Sequence, residues 1–155
     1  MRHWRGITLL ALTLWAGASL PAGSAPEPAP RVATPAPPEV VTEIQQSVER
    51  ARQRFEGRDA GGVLAQVSEQ YRSSGLTKSA VRQQLLAMLG LYEAVRARVV
   101  VDQVQIVDGD VWFHTTGQIT GRLPLLGWMT VLVWQNEPEV ARREGAAWRL
   151  FGFQD

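Results

Sequence analysis

The sequence predicts an α+β fold, with three N-terminal helices packed on a strongly curved antiparallel sheet of about four strands. Three observations predict it. Between residues 39 and 92 the apolar residues recur at helical spacing, in three blocks separated by glycine and polar turns. From Val95 onward the spacing becomes two, the period of a strand with one face buried. Helices and strands are also segregated along the chain, an order that suits helices stacked on one face of an antiparallel sheet.

The first helix is expected over residues 39–56. Pro37 and Pro38 suit its start, and Val41, Ile44, Val48, Ala51 and Phe55 form one stripe at offsets 0, 3, 7, 10 and 14. Gly57 stops it. A short second helix is expected from Asp59, a good N-cap, burying Val63, Leu64 and Val67. Tyr71 and the turn residues Ser73, Ser74 and Gly75 follow. Thr77 then caps a third helix carrying Val81, Leu85, Met88, Leu89 and Tyr92 on one face.

In the first strand Ala97, Val99 and Val101 share one parity, whereas Val104 and Ile106 take the other, so a bulge near Asp102 or Gln103 is expected. Asp108-Gly109 signals a two-residue hairpin leading to a second strand at Val111. The third strand, residues 128–135, is apolar on both faces, as a central or interface strand is. Residues 136–145 read as a charged loop, and 147–154 as the last strand.

Ahead of the folded body lie two other segments. Arg2 and Arg5, the apolar run 7–18 and the small residues 19–25 follow the order of a secretory signal peptide, here assigned to residues 1–25. The run is too short to span a bilayer. A periplasmic or secreted protein is therefore expected, with no stable membrane span after cleavage; an uncleaved membrane-tethering anchor is the alternative. Residues 26–38, with six prolines, read as an extended linker, and 39–155 as the domain.

Composition excludes several function classes. Without Arg2 and Arg5 the chain has 14 basic against 15 acidic residues, which gives no electrostatic case for nucleic acid. There is no cysteine, hence no disulfide, thiol nucleophile or cysteine-bound zinc. His114 is the one histidine outside the leader, so no histidine-rich metal site is expected, and no cofactor. Phosphate-binding glycine loops, GxSxG elbows and HExxH motifs are absent from the sequence.

The segment FEGRDAGGVLAQVS at the end of the first helix, the Tyr71 segment, TKSAVRQQLLAML, the VDGD turn and the terminal AWRLFGFQ together resemble the nuclear transport factor 2-like superfamily. Polyketide cyclase-like and ketosteroid isomerase-like proteins share that cone-shaped fold. The resemblance covers residues 40–154 and implies a largely apolar cavity inside the cone, with homodimerisation through the outer sheet face. Isomerase-like members place a catalytic carboxylate between the second and third helices and a tyrosine on the first. Here that loop contracts to EQYRSSGL, with Glu69 its only carboxylate, and Ala51 stands where the tyrosine would be.

Two groups could act as a base. His114 titrates near neutrality, but its neighbours Trp112, Thr116 and Gln118 suggest a polar face. Asp102 lies in a valine-rich strand, where it could equally mark a bulge that turns it outward. If residues 122–127 form a six-residue loop, Gly121 opposes Trp128 and His114 shares a face with Met129, Val131 and Val133; a slip of one moves it to Trp128, Leu132 and Trp134. Arg98 and Arg149 could hold an anion, or simply face solvent.

No catalytic residue is assigned. Ligand-binding candidates are Phe55, Tyr71, Leu89, Tyr92, Trp128, Leu132 and Trp134, which could line a pocket. The apolar loop LPLLG could be a pocket lip, a dimer or membrane contact, or a segment packed under the first helix. The reading that follows is an exported, non-catalytic domain binding a small apolar ligand or a protein partner. The alternatives are a cyclase- or isomerase-type enzyme using Asp102 or His114, and a dimeric envelope-assembly module.

Overall fold

A computed structural model describes residues 32–152. The leader, most of the proline-rich linker and the last three residues lie outside these. Three helices and seven strands follow in chain order: β1 (Ala33–Pro35), α1 (Pro38–Glu56), α2 (Ala60–Leu64), β2 (Arg72–Ser73), β3 (Leu76–Thr77), α3 (Lys78–Leu91), β4 (Ala94–Val107), β5 (Asp110–Leu123), β6 (Gly127–Glu144) and β7 (Ala147–Leu150).

The helices form where the apolar stripes predict. Pro38 occupies the first turn of α1, where a missing N–H costs nothing, and Gly57 closes it. Asp59 caps α2 by accepting from the Gly62 N–H, and Thr77 caps α3 by accepting from Ala80. Arg58 completes the corner. Its guanidinium donates to the carbonyl oxygens of Leu89, Tyr92 and Glu93, which close the C-terminal end of α3.

The main sheet has five strands, in the order β1-β4-β5-β6-β7, all antiparallel. The count exceeds the expected four because the end of the linker docks as an edge strand: Ala33–Pro35 pair with residues 105–107 of β4. β2 and β3 form a separate small hairpin. The β4–β5 turn is the predicted Asp108-Gly109, with both φ angles positive. The register skips Asp102 between Val101 and Gln103, which is the expected bulge and reconciles the two parities of β4.

The second hairpin differs from expectation. Leu123 pairs with Gly127, so the connection is three residues rather than six, and Arg122, not Gly121, faces Trp128. Residues 136–144 are not a loop. They continue β6 to a length of 18 residues, and Asn136, with φ +51°, is the extra residue of a bulge between the Gly117–Trp134 and Thr115–Glu137 pairs. A second irregularity at Val131 lies between the Ile119–Leu132 and Thr120–Thr130 pairs. The last strand ends at Leu150, four residues before the expected end, and Gly152 turns the chain at φ +77°.

The core is divided. One cluster gathers Phe55, Leu64, Leu85, Met88, Leu89, Val95 and Ile119 beneath α1 and α3. The other gathers Ile44, Val104, Val111, Phe113 and Ala141 under the start of α1. Among the described residues no helix is long and apolar enough to cross a membrane.

Candidate functional site

Between the two clusters lies a cavity of about 270 Å³, roofed by α1 and α3 and floored by β4 to β7. Each wall follows from local periodicity. From α1 come Ile44, Val48, Ala51 and Phe55, the helical stripe; from α3 come Val81, Leu85 and Met88. The odd-numbered residues of β5, Phe113, Thr115 and Ile119, point inward, and Trp134, Ala141 and Trp148 complete the far side. The aromatic N–H groups are already used: Trp134 Nε1 donates to Thr115 Oγ1 at 3.0 Å, and Trp148 Nε1 donates to Glu43 at 2.5 Å.

One acid enters this apolar space. Glu139 pairs across the sheet with Phe113 and lines the cavity. The residue keeps some accessible area, as a cavity-lining residue does, but its Oε2 is buried and accepts no hydrogen bond. Burial pushes its carboxyl up to about 7, with the nearby Glu137 charge adding to the effect. Tyr71 feels the same field: burial raises its hydroxyl to about 12, and Glu139 contributes further.

Two guanidinium groups also border the cavity, each with an acidic neighbour. Arg52 bridges Glu49 and Glu56 on α1, at 2.7 Å to each. Arg149 stands 3.5 Å from Glu144, with its Nε buried and making no hydrogen bond. Arg98 is exposed on the opposite sheet face, paired with Gln118, so it does not join Arg149 around an anion.

Of the residues proposed from sequence as pocket lining, Phe55 and Trp134 border the cavity. Leu89 and Leu132 belong to the first core cluster and its packing shell, and Tyr92 packs its ring where Gly121 has no side chain. Tyr71 is buried next to Gly152, near enough to Glu139 to feel its charge, but does not itself line the cavity. Trp128 lies on the outer face beneath the Arg96 guanidinium, 4.2 Å from the ring centre. Ala51 lines the cavity, and Glu69 faces solvent, bound to Lys78.

Neither proposed base enters the cavity. His114 has the outward parity of β5, opposite Pro138, and Asp102 is exposed on its bulge, accepting a hydrogen bond from Thr116 at 2.7 Å. Both registers considered from sequence are superseded. The two β6 irregularities give His114's face Trp128 and Val133, and give the cavity face Leu132 and Trp134. Leu125 and Leu126 are exposed, so the LPLLG loop does not pack under α1. Sequence reasoning missed Glu139. The signal for the strand that carries it was an alternation of polar and apolar residues over 137–140, hidden by a charge density that resembled a loop. Among the described residues no cluster of potential ligands could hold a metal ion.

No family description and no curated protein matches the chain. Solved structures do. Aln2 from a Streptomyces species superposes with a TM-score of 0.61 at 20% identity, over 77% of this chain and 90% of that one. A candidate dehydratase of the NTF2-like family from Streptomyces avermitilis gives 0.60 at 13%, over 75% and 94%. A candidate scytalone dehydratase from Novosphingobium aromaticivorans gives 0.57 at 8%, over 74% and 80%. The chain has the nuclear transport factor 2-like fold.

Proposed function

We propose that the domain binds one small, largely apolar molecule in the cavity between α1, α3 and the sheet, without turning it over, and does so outside the cytoplasm. The cavity itself carries the reading. Protein interiors pack to the density of organic crystals, whereas here an apolar cavity of about 270 Å³ stands between the helices and the sheet, as a ligand site does. The export half rests on residues 1–25 alone.

Native mass spectrometry of protein purified from its own host tests the binding. The expected result is a non-covalent adduct of small mass. Ligand-free protein that also gives no thermal shift with small apolar probes overturns it. N-terminal sequencing of the exported fraction tests the leader, and an intact Met1 in the cytosol refutes it.

Two observations favour other roles. Burial raises the Glu139 carboxyl to about 7, within the range of a general acid or base, but its titratable neighbours are the like-charged Glu137 and a Tyr71 hydroxyl raised to about 12, and neither lines the cavity, which favours binding over turnover. The outer sheet face exposes Val100, Trp128 and Val133, which suits self-association through that face. A concentration-independent monomer in sizing experiments would remove the dimer.

A further inference from the structure

We infer that the molecule bound in the cavity is a small apolar amine, whose protonated nitrogen pairs with Glu139. This rests on the cavity reading above and adds the chemical class of the occupant.

The argument begins with what Glu139 lacks. Its Oε2 is buried and accepts nothing from the protein. A buried polar atom left unpaired carries its full desolvation penalty, so it is rare unless a partner arrives from outside. Most donors bordering the cavity are directed elsewhere: Trp134 to Thr115, Trp148 to Glu43, Ser47 to Gln66, and Arg52 to Glu49 and Glu56, while the Arg149 guanidinium makes no hydrogen bond through Nε and stands 3.5 Å from Glu144.

Charge then selects the class of guest. On its own strand Glu139 has the like-charged Glu137 nearby. From the segment before β2 it faces the neutral Tyr71, and from β7 comes Arg149, offset by Glu144 at 3.5 Å. From α1 comes Arg52, matched by two carboxylates, while α3 and the inward face of β5 bring only Gln84 and Thr115 as polar cavity groups. The Glu139 end of the cavity is therefore electronegative. A carbonyl oxygen there would add a third negative pole beside two acids, whereas an ammonium supplies the missing sign.

The walls agree with this. Phe113 is the cross-strand partner of Glu139, and Phe55, Trp134 and Trp148 line the same cavity; aromatic π-faces attract a desolvated cation while accommodating its apolar body. An acid in an aromatic-lined cavity gives a hydrophobic amine both an ion pair and a lining it does not have in water.

Benzylamine and benzyl alcohol, matched in size and shape, are the probes, with binding to the mature protein measured by calorimetry. At pH 8 benzylamine is expected to bind at least tenfold more tightly. Its affinity should fall about tenfold at pH 6, because Glu139 is then largely protonated while the amine stays charged at both pH values. E139Q should abolish the preference for the amine over the alcohol, while its circular dichroism and cooperative thermal melt show that the variant folds. The pH series on wild type needs no variant.

Equal affinity for the two probes, tighter binding of the alcohol, or an amine preference that survives E139Q overturns the inference but leaves the cavity reading standing. Failure of both probes to bind counts against both.

Discussion

Replacing Glu139 with glutamine should stabilise the protein in alkali and do little in acid. In the fold the carboxyl is pushed up to about 7 from an ordinary 4.5, by burial first and by Glu137 second. A carboxyl that holds its proton more tightly folded than unfolded favours the fold below about pH 4.5, and that contribution is lost as the pH rises through 7. The difference corresponds to roughly 3 kcal/mol at pH 8.5. Glutamine has nearly the same shape and no charge, so E139Q should escape the loss. For a domain of this size that amounts to an increase of roughly 10 °C in Tm at pH 8.5, and to little change at pH 4.5. Urea unfolding of both proteins across this range is the assay, and the difference between them cancels the titrations they share. Other acids are held low, Glu43 by the Trp148 N–H and then Arg143, Glu49 by Arg52, Asp59 by the Gly62 N–H and Glu69 by Lys78, and they act in a separate window at lower pH. A difference between E139Q and wild type that does not change with pH would refute a buried, titrating Glu139.

Other predictions test the frame around the acid. Gly117→Ala places a Cβ 2.4 Å from the backbone oxygen of Arg98 and 2.5 Å from the Trp134 ring, so it should cost about 3 kcal/mol in chemical denaturation. Gly121→Ala meets only the Tyr92 ring, at 2.4 Å, which can swing aside, so its loss in the same assay should be smaller. Phe55→Ala should destabilise by about 3 kcal/mol, the low end for a buried aromatic, because one side of the ring already borders empty space. Arg58→Ala removes the donor that closes the C-terminus of α3 and should cost about 1–2 kcal/mol, with the largest gain in amide hydrogen exchange over residues 88–93. His114→Ala should leave probe binding in calorimetry unchanged; a variant that no longer binds would place His114 in the site after all.

Periodicity made the fold legible in sequence. The stripe from Val41 to Phe55, the caps Asp59 and Thr77, the Asp108-Gly109 turn and the parity change at Asp102 are local signals with local causes, and each corresponds to a feature of the structure. Pairing was less legible because it is not local. Nothing in Ala33–Pro35 announces that it docks against β4, and the extra residues of β6 depend on what lies opposite them. The candidate site inherited that ambiguity. Phe55 could be placed from its own helix, while Trp128 and Trp134, alike in sequence, were separated only by the register. Glu139 was hidden most deeply, since a charge in a charged segment ordinarily means solvent.

The bulge at Asn136 has a consequence for how such a protein diversifies. In an uninterrupted strand that kept Trp134 inside, Glu137 and Glu139 would face outward and Pro138 and Val140 inward. A single codon gained in a long strand can thus exchange a surface carboxylate for an interior one without altering any other residue. Relatives with this architecture could gain or lose an internal charge through small insertions and deletions, so their ligand preferences would be better compared by strand phase than by aligned residue identity.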